Sequence, residues 1–189
     1  MTFGFQTIER TALAMRIKSV VLAITAITIL SSIPAGAEVT QTDILVAGRA
    51  IGFIDNLKRG DVRVGIVYDP GIAQSSQQAA ELNALMNRGL RIGSLTLKPV
   101  MLPAGKSDNG GIDLFFLTEG AGSAAGYVGR IGRERKIPCI TFDLNQVRNA
   151  NCAIGVRSQP RIEVFVSRAA AAASGIELAA VFRMMIKEI

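Results

Sequence analysis

The chain has 189 residues, 49% of them hydrophobic and 19% charged, a balance that excludes a disordered polymer and suits one domain of ordinary size. The formal charge of +6 falls by two once residues 1–37 are set aside, too modest an excess for a nucleic-acid partner. No histidine is present, which removes His-based acid–base work, Ser-His and Cys-His nucleophiles and most zinc sites together.

Arg10, Arg16 and Lys18 precede an apolar run from Val20 to Leu30, and Pro34 leads into Ala35-Gly36-Ala37. A basic start, a short apolar stretch and a small-x-small site read as a signal peptide over 1–37, cleaved after Ala37, with 38–189 as the exported domain. A membrane anchor is the competing reading, but the uninterrupted run falls short of the ~20 residues a span needs. Met15 is an alternative start that leaves the same mature chain.

Beyond the cleavage site, Asp43 is placed to cap a helix from Ile44 to about Lys58, with Ile44, Ala47, Ile51 and Ile54 as its apolar stripe. Gly48 and Gly52, four apart, give a flat strip that lets another backbone approach closely, read here as ordinary close packing on the sheet. Arg63–Tyr68 is a strand of the continuous apolar kind covered on both faces, and Asp69-Pro70-Gly71 turns it. A helix follows over Gln74–Arg88, with Ala79, Leu82, Leu85 and Met86 inward and Gly89 as its stop.

Arg91–Leu102 reads as one strand kinked at Pro99, and Pro103–Gly111 as a turn-rich loop. Ile112–Leu117 is the third strand, followed by Thr118-Glu119-Gly120 and a helix over about Ser123–Glu134. Ile137–Asp143 is the fourth strand, Asn145–Asn151 a polar connection, and Ala153–Val156 a short fifth strand. Arg161–Val166 alternates as a sixth, with Ile162, Val164 and Val166 on one face. After Gly175, Leu178, Val181, Phe182, Met185, Ile186 and Ile189 fall at helical spacing, predicting an amphipathic terminal helix over the core. Strands and helices alternate early and strands cluster late. The expected fold is therefore a single-domain α/β sandwich with a mixed, mainly parallel sheet of five or six strands and helices on both faces.

Candidate chemistry is sparse. Gly120-Ala-Gly122-Ser-Ala-Ala-Gly126 follows a strand, opens a helix and precedes Asp143, as a dinucleotide site would. Its spacing is G-x-G-x-x-x-G, however, and the unit lies third in the sheet, so no cofactor is expected. Gly105-Lys106-Ser107 lacks the earlier glycine and the strand-to-helix setting of a phosphate loop. Asp43, Asp69, Asp113 and Asp143 stand singly at element ends, where capping explains them, and no catalytic or metal residue is assigned. Loops after the carboxyl ends of central strands are the usual ligand position, which selects Asp69, Thr118, Gly120, Gly122, Ser123 and Asp143 as candidate ligand or partner residues. Cys139 and Cys152 both lie in the exported part; they form one disulfide, or each is a small buried apolar residue in a strand. The basic run Arg130, Arg133, Arg135 and Lys136 suits either an acidic partner surface or the solvated end of a helix.

Two resemblances accompany these patterns. Arg161–Phe182, with its alternating strand, a small polar residue, the Ala169–Ala173 run, Gly175 and Ile176-x-Leu178, resembles the C-terminal signature of YfiR-type periplasmic regulators. Ser167 stands where that family usually has Asn, and Ala179-Ala180 where it has Ser-Ser. Ile44–Pro70 resembles the family more loosely through Phe53, Asp69 and Pro70, and the family's Trp-Pro after the first helix is missing. The resemblance implies a periplasmic, non-catalytic dimer that restrains an inner-membrane signalling partner, commonly a diguanylate cyclase receptor in cyclic-di-GMP signalling. The second resemblance joins IDLFFLTEG and KIPCITF, which are similar to one lobe of ABC-type substrate-binding proteins. It implies a small-solute receptor, although such receptors carry two lobes and the exported part has room for one.

Overall fold

The computed structural model describes residues 39–106 and 110–189, so the expected signal peptide and its cleavage after Ala37 lie outside the described residues. The strands are β1 (Gly60–Tyr68), β2 (Leu90–Ile92), β3 (Leu95–Pro103), β4 (Leu114–Leu117), β5 (Cys139–Thr141), β6 (Ile154–Arg157), β7 (Glu163–Val166) and β8 (Lys187–Glu188). They form one sheet in the order β2-β3-β1-β4-β5-β6-β7-β8. Pairing is antiparallel for β2–β3 and β6–β7 and parallel elsewhere, so the mixed, mainly parallel sheet holds. Among the described residues, eight strands replace the expected five or six.

The helices are α1 (Gln41–Gly52), α2 (Ala73–Met86), α3 (Gly122–Arg135), α4 (Leu144–Arg148), α5 (Arg168–Ala173) and α6 (Ala180–Arg183). From β1 the chain crosses through α2 to β3 on one side, then from β4 through α3 to β5 on the other. Right-handed crossovers leaving in opposite directions put their helices on opposite faces. Accordingly Ala79, Leu82 and Met86 of α2 share a core with α1 residues, whereas Ala124, Ala125, Val128 and Ile131 of α3 pack in the other. Register makes the division: Ile66, Phe116, Ile140, Ile154 and Val166 lie in one row across the sheet and all belong to the first core. The four residues of β4 are all buried, as a central strand covered on both faces requires.

Several boundaries differ from the sequence reading. Helix α1 is capped by Thr40, with Asp43 three residues on completing a reciprocal capping box, and it stops at Gly52 instead of Lys58. Its Gly48 packs where expected, since a Cβ there would meet the end of the Ile92 side chain; beside Gly52 the space is open. Arg91–Leu102 is two strands: Gly93, at φ +59°, and Ser94 turn a hairpin in which Ile92 faces Leu95. Pro99 lies in β3 beyond the reach of β2, whose pairing ends at Leu97. The polar connection after β5 contains α4, capped by Asp143 Oδ1, which accepts from Asn145 N at 2.9 Å.

The largest correction is at the C-terminus. The expected terminal amphipathic helix is absent: after α5 and Gly175 (φ +64°), the chain runs extended past the segment that follows α1. Asp55 N donates to Glu177 O at 2.8 Å and Ala179 N to Phe53 O at 3.0 Å, with Ile54 facing Leu178 in an antiparallel bridge. This tertiary pairing takes the backbone groups that a helix over 176–180 would need. Only the single turn α6 follows, before Lys187–Glu188 adds to the sheet as β8. Leu178 and Phe182 are buried as expected, but Val181, Met185 and Ile189 are exposed. Strand β7 likewise starts at Glu163, leaving Ile162 62% exposed.

Cys139 of β5 and Cys152, just before β6, are disulfide-bonded, with Cα atoms 4.7 Å apart. The bond lies in the α3-side core. At the end of α3, Arg130 pairs with Glu134 four residues on, and Lys136, at φ +56°, donates to Ala173 O at 2.9 Å.

Candidate functional site at the carboxyl edge of the sheet

The chain reverses direction in the sheet between β1 and β4, so the loops leaving these strands diverge and open a crevice, where ligands of open α/β sheets bind. Hydrogen bonds fix its floor. Thr118 Oγ1 donates to Val67 O at 3.0 Å, which uses its one proton, so Ser75 Oγ, 2.7 Å away, donates to it. Ser75 Oγ in turn accepts from Asp69 N at 2.8 Å. Asp69 Oδ2 accepts from Ser123 Oγ at 2.6 Å and Oδ1 from Gly71 N at 2.9 Å. The Ser123 hydroxyl, then the Gly71 amide, hold the Asp69 carboxyl below its usual range. Gly120, at φ +80°, leaves a Cβ no room, because Ile72 Cγ2 would lie 2.9 Å away.

Four of the selected residues, Asp69, Thr118, Gly120 and Ser123, therefore meet at the switch point, and Gly122 opens α3 beside them. Thr118 is buried and its one proton goes to Val67 O, so it supports the crevice and does not face a ligand. Ser75→Ala is expected to destabilise by about 1–3 kcal/mol, because it strips a buried partner from Thr118 and from the Asp69 amide. Urea unfolding checks it; a loss below 0.5 kcal/mol, the range of a neutral surface change, would contradict the relay.

Beside this floor lies an open cleft of about 430 Å³, walled by the start of α1, by α2, and by the ends of β4, β5 and β6. Its polar side chains include Glu119, Gln78, Asp43, Arg157 and Ser158, and Phe142, Leu144 and Val156 give it an apolar side. Glu119 N donates to Gln78 Oε1 at 2.7 Å, and Glu119 Oε2 accepts from Gln74 Nε2 at 3.0 Å. Burial, and next the charge of Asp143, push the Glu119 carboxyl above its usual pKa. Asp43 Oδ1 accepts from Ser158 Oγ, tying the α1 start to the β6 exit. Arg157 pairs with Glu163 and lies 5.3 Å over the Phe165 ring. Among the described residues no group of three or more His, Cys, Asp or Glu is placed to hold a metal ion.

Asp143 reaches this cleft only through its field on Glu119; its oxygens cap α4 and accept from Gln146 Nε2 at 3.0 Å. Sequence reasoning had Glu119 inside a candidate loop without singling it out, and missed Gln78, Arg157 and Ser158. The available signal was the loop leaving β6, the strand expected at Ala153–Val156. Glu119's raised pKa has a defined consequence. The folded state holds this proton more tightly than the unfolded chain, so the contribution is complete below about pH 4.3 and lost as pH rises through the folded value. Glu119→Gln should therefore gain stability relative to the parent as pH rises from about 4 towards neutrality. Urea midpoints measured across that range check it, and parallel pH curves would contradict it.

No protein-family model matches the chain, and no curated protein matches it. Among solved structures it is similar to a substrate-binding protein with adhesive properties from Clostridium difficile, in its ligand-free, open form. The TM-score is 0.50 at 14% identity, covering 74% of this chain and 56% of that one. The chain thus spans little more than half of that protein's length. At this identity the likeness is one of α/β fold.

Proposed function

We propose that the chain is an exported, non-catalytic regulatory protein that restrains a membrane-bound signalling partner, such as a diguanylate cyclase receptor, by protein contact. One observation carries this reading. In and just after the terminal turn, Phe182 faces the core, while Val181, Met184 and Met185 are exposed together. Clustered exposed apolar residues mark interaction sites. The resemblance to YfiR-type regulators gives the kind of partner and also suggests a dimer. Replacing Val181, Met184 and Met185 together by serine leaves the core untouched. The wild type should capture an inner-membrane cyclase from detergent extracts and the triple variant should not. No capture by the wild type, or equal capture by both, overturns the reading.

A second reading, a small-solute receptor of one lobe, is favoured by the cleft at the carboxyl edge and by the fold shared with a substrate-binding protein. A solute present at a hundred times its Kd adds about 2.7 kcal/mol of apparent stability, which thermal unfolding resolves.

A further inference from the structure

The chain contains no histidine and no tryptophan, and its two cysteines are bonded to each other. That leaves the methionine thioethers as the side chains a peroxide oxidises most readily. Beyond Ala37 there are four, at Met86, Met101, Met184 and Met185. Their surroundings sort them. Met86, at the end of α2, is 1% exposed in the first core, and Met101 of β3 is partly buried against the same core. Met184 and Met185 are 82% and 61% exposed. An oxidant has to reach the sulfur lone pair, so exposure puts this adjacent pair first and Met86 last.

Position gives the reaction a consequence. The pair follows Phe182, whose ring stacks on Phe53, and Met185 N donates to Phe182 O at 2.9 Å. Both sulfurs are thus held at the surface, close in sequence to the exposed Val181, and neither residue belongs to a core. In the reaction a sulfur lone pair attacks one peroxide oxygen. The S–O bond forms as the O–O bond breaks, and the second oxygen leaves as water. Sulfur gives up two electrons and the peroxide gains them. A polar sulfoxide then stands where an apolar thioether stood, the change that disrupts methionine-rich interfaces. Covering two such groups without donors to meet them is costly.

We propose that Met184 and Met185 form a reversible oxidation site, at which a peroxide converts both to sulfoxides and so releases a protein partner docked on Val181 and this pair. The step rests on the regulatory reading of that surface, and it adds the condition that lifts the restraint.

The purified chain is treated with hydrogen peroxide, cleared of it with catalase, and only then used to capture partners from detergent extracts. Tryptic mapping should show residues 184–187 gaining one oxygen on each sulfur before Met86 gains any. Circular dichroism should be unchanged, and the melting temperature should move by less than about 2 °C, as for a surface change. Capture of the inner-membrane cyclase should fall at least about tenfold, because two polar groups now face the partner's apolar surface. Reductases acting on both sulfoxide epimers should restore it. Capture that survives full oxidation of both sulfurs, or that is lost only once Met86 is oxidised or the chain unfolds, overturns the switch and leaves the docking reading standing. No capture by the untreated chain overturns the docking reading and the switch with it.

Discussion

Replacing Phe182 by alanine is expected to destabilise the fold by about 3–5 kcal/mol, the usual cost of emptying a buried aromatic site. Phe182 is 3% exposed and stacks on Phe53, with ring centroids 4.6 Å apart and planes 13° from parallel. The pair joins the chain just past α1 to the terminal turn, beside the Phe53–Ala179 and Asp55–Glu177 backbone hydrogen bonds. Removing the ring therefore loosens a strap as well as leaving a cavity. At about 2–4 °C per kcal/mol for a domain of this size, the melting temperature should fall by roughly 6–20 °C. Met184→Ala is the control: 82% exposed two residues away, it should change stability by no more than about 0.5 kcal/mol. A double-mutant cycle with Phe53→Ala should return about 0.5–1.5 kcal/mol of ring–ring coupling. Equal urea midpoints for the Phe182 and Met184 variants would show that the terminal turn is not docked.

The same region shows where sequence reading stops. Spacing of Leu178 and Phe182 at i and i+4 identifies correctly which side chains face inward, yet the backbone that carries them is an extended strap followed by one turn. Periodicity reports the inward side chains; backbone partners decide the element, and here they lie more than 120 residues earlier, at Phe53 and Asp55. Local signals fared better where one element decides its own shape. The apolar runs of β1 and β4, the helices α2 and α3, and Gly175 as a stop all follow from patterns within a few residues. The Gly93-Ser94 hairpin and the helix α4 that Asp143 caps were also local signals, masked by a long apolar stretch and by an Asn-rich one. In the candidate site, Asp69, Thr118 and Ser123 came together because loop position relative to strand order suffices to place them. The wall made by Asp43 and Ser158 depends on a contact across 115 residues, which no local pattern encodes.

Removal of the disulfide, as Cys139→Ala with Cys152→Ala, is expected to cost about 3 kcal/mol, from the entropy of a loop closed across a separation of 13 residues. The bond encloses α4 and ties β5 to the entry of β6, so it also fixes the spacing of Phe142 and Leu144 against Val156 across the cleft. Both cysteines are buried among α3 residues, so the double alanine change adds a packing loss to the entropic one. Two arms separate these contributions. Oxidised and reduced wild type differ in the cross-link while both sulfurs stay in the core; reduced wild type and the double variant differ in packing alone. The first difference should dominate, and the melting temperature should drop by roughly 6–12 °C on reduction. A bond of that weight agrees with the export expected from the sequence, since cytosolic thiol pools keep such cysteines reduced. Reduction that leaves the melting temperature unmoved would mean that the link constrains a loop already ordered in the unfolded chain.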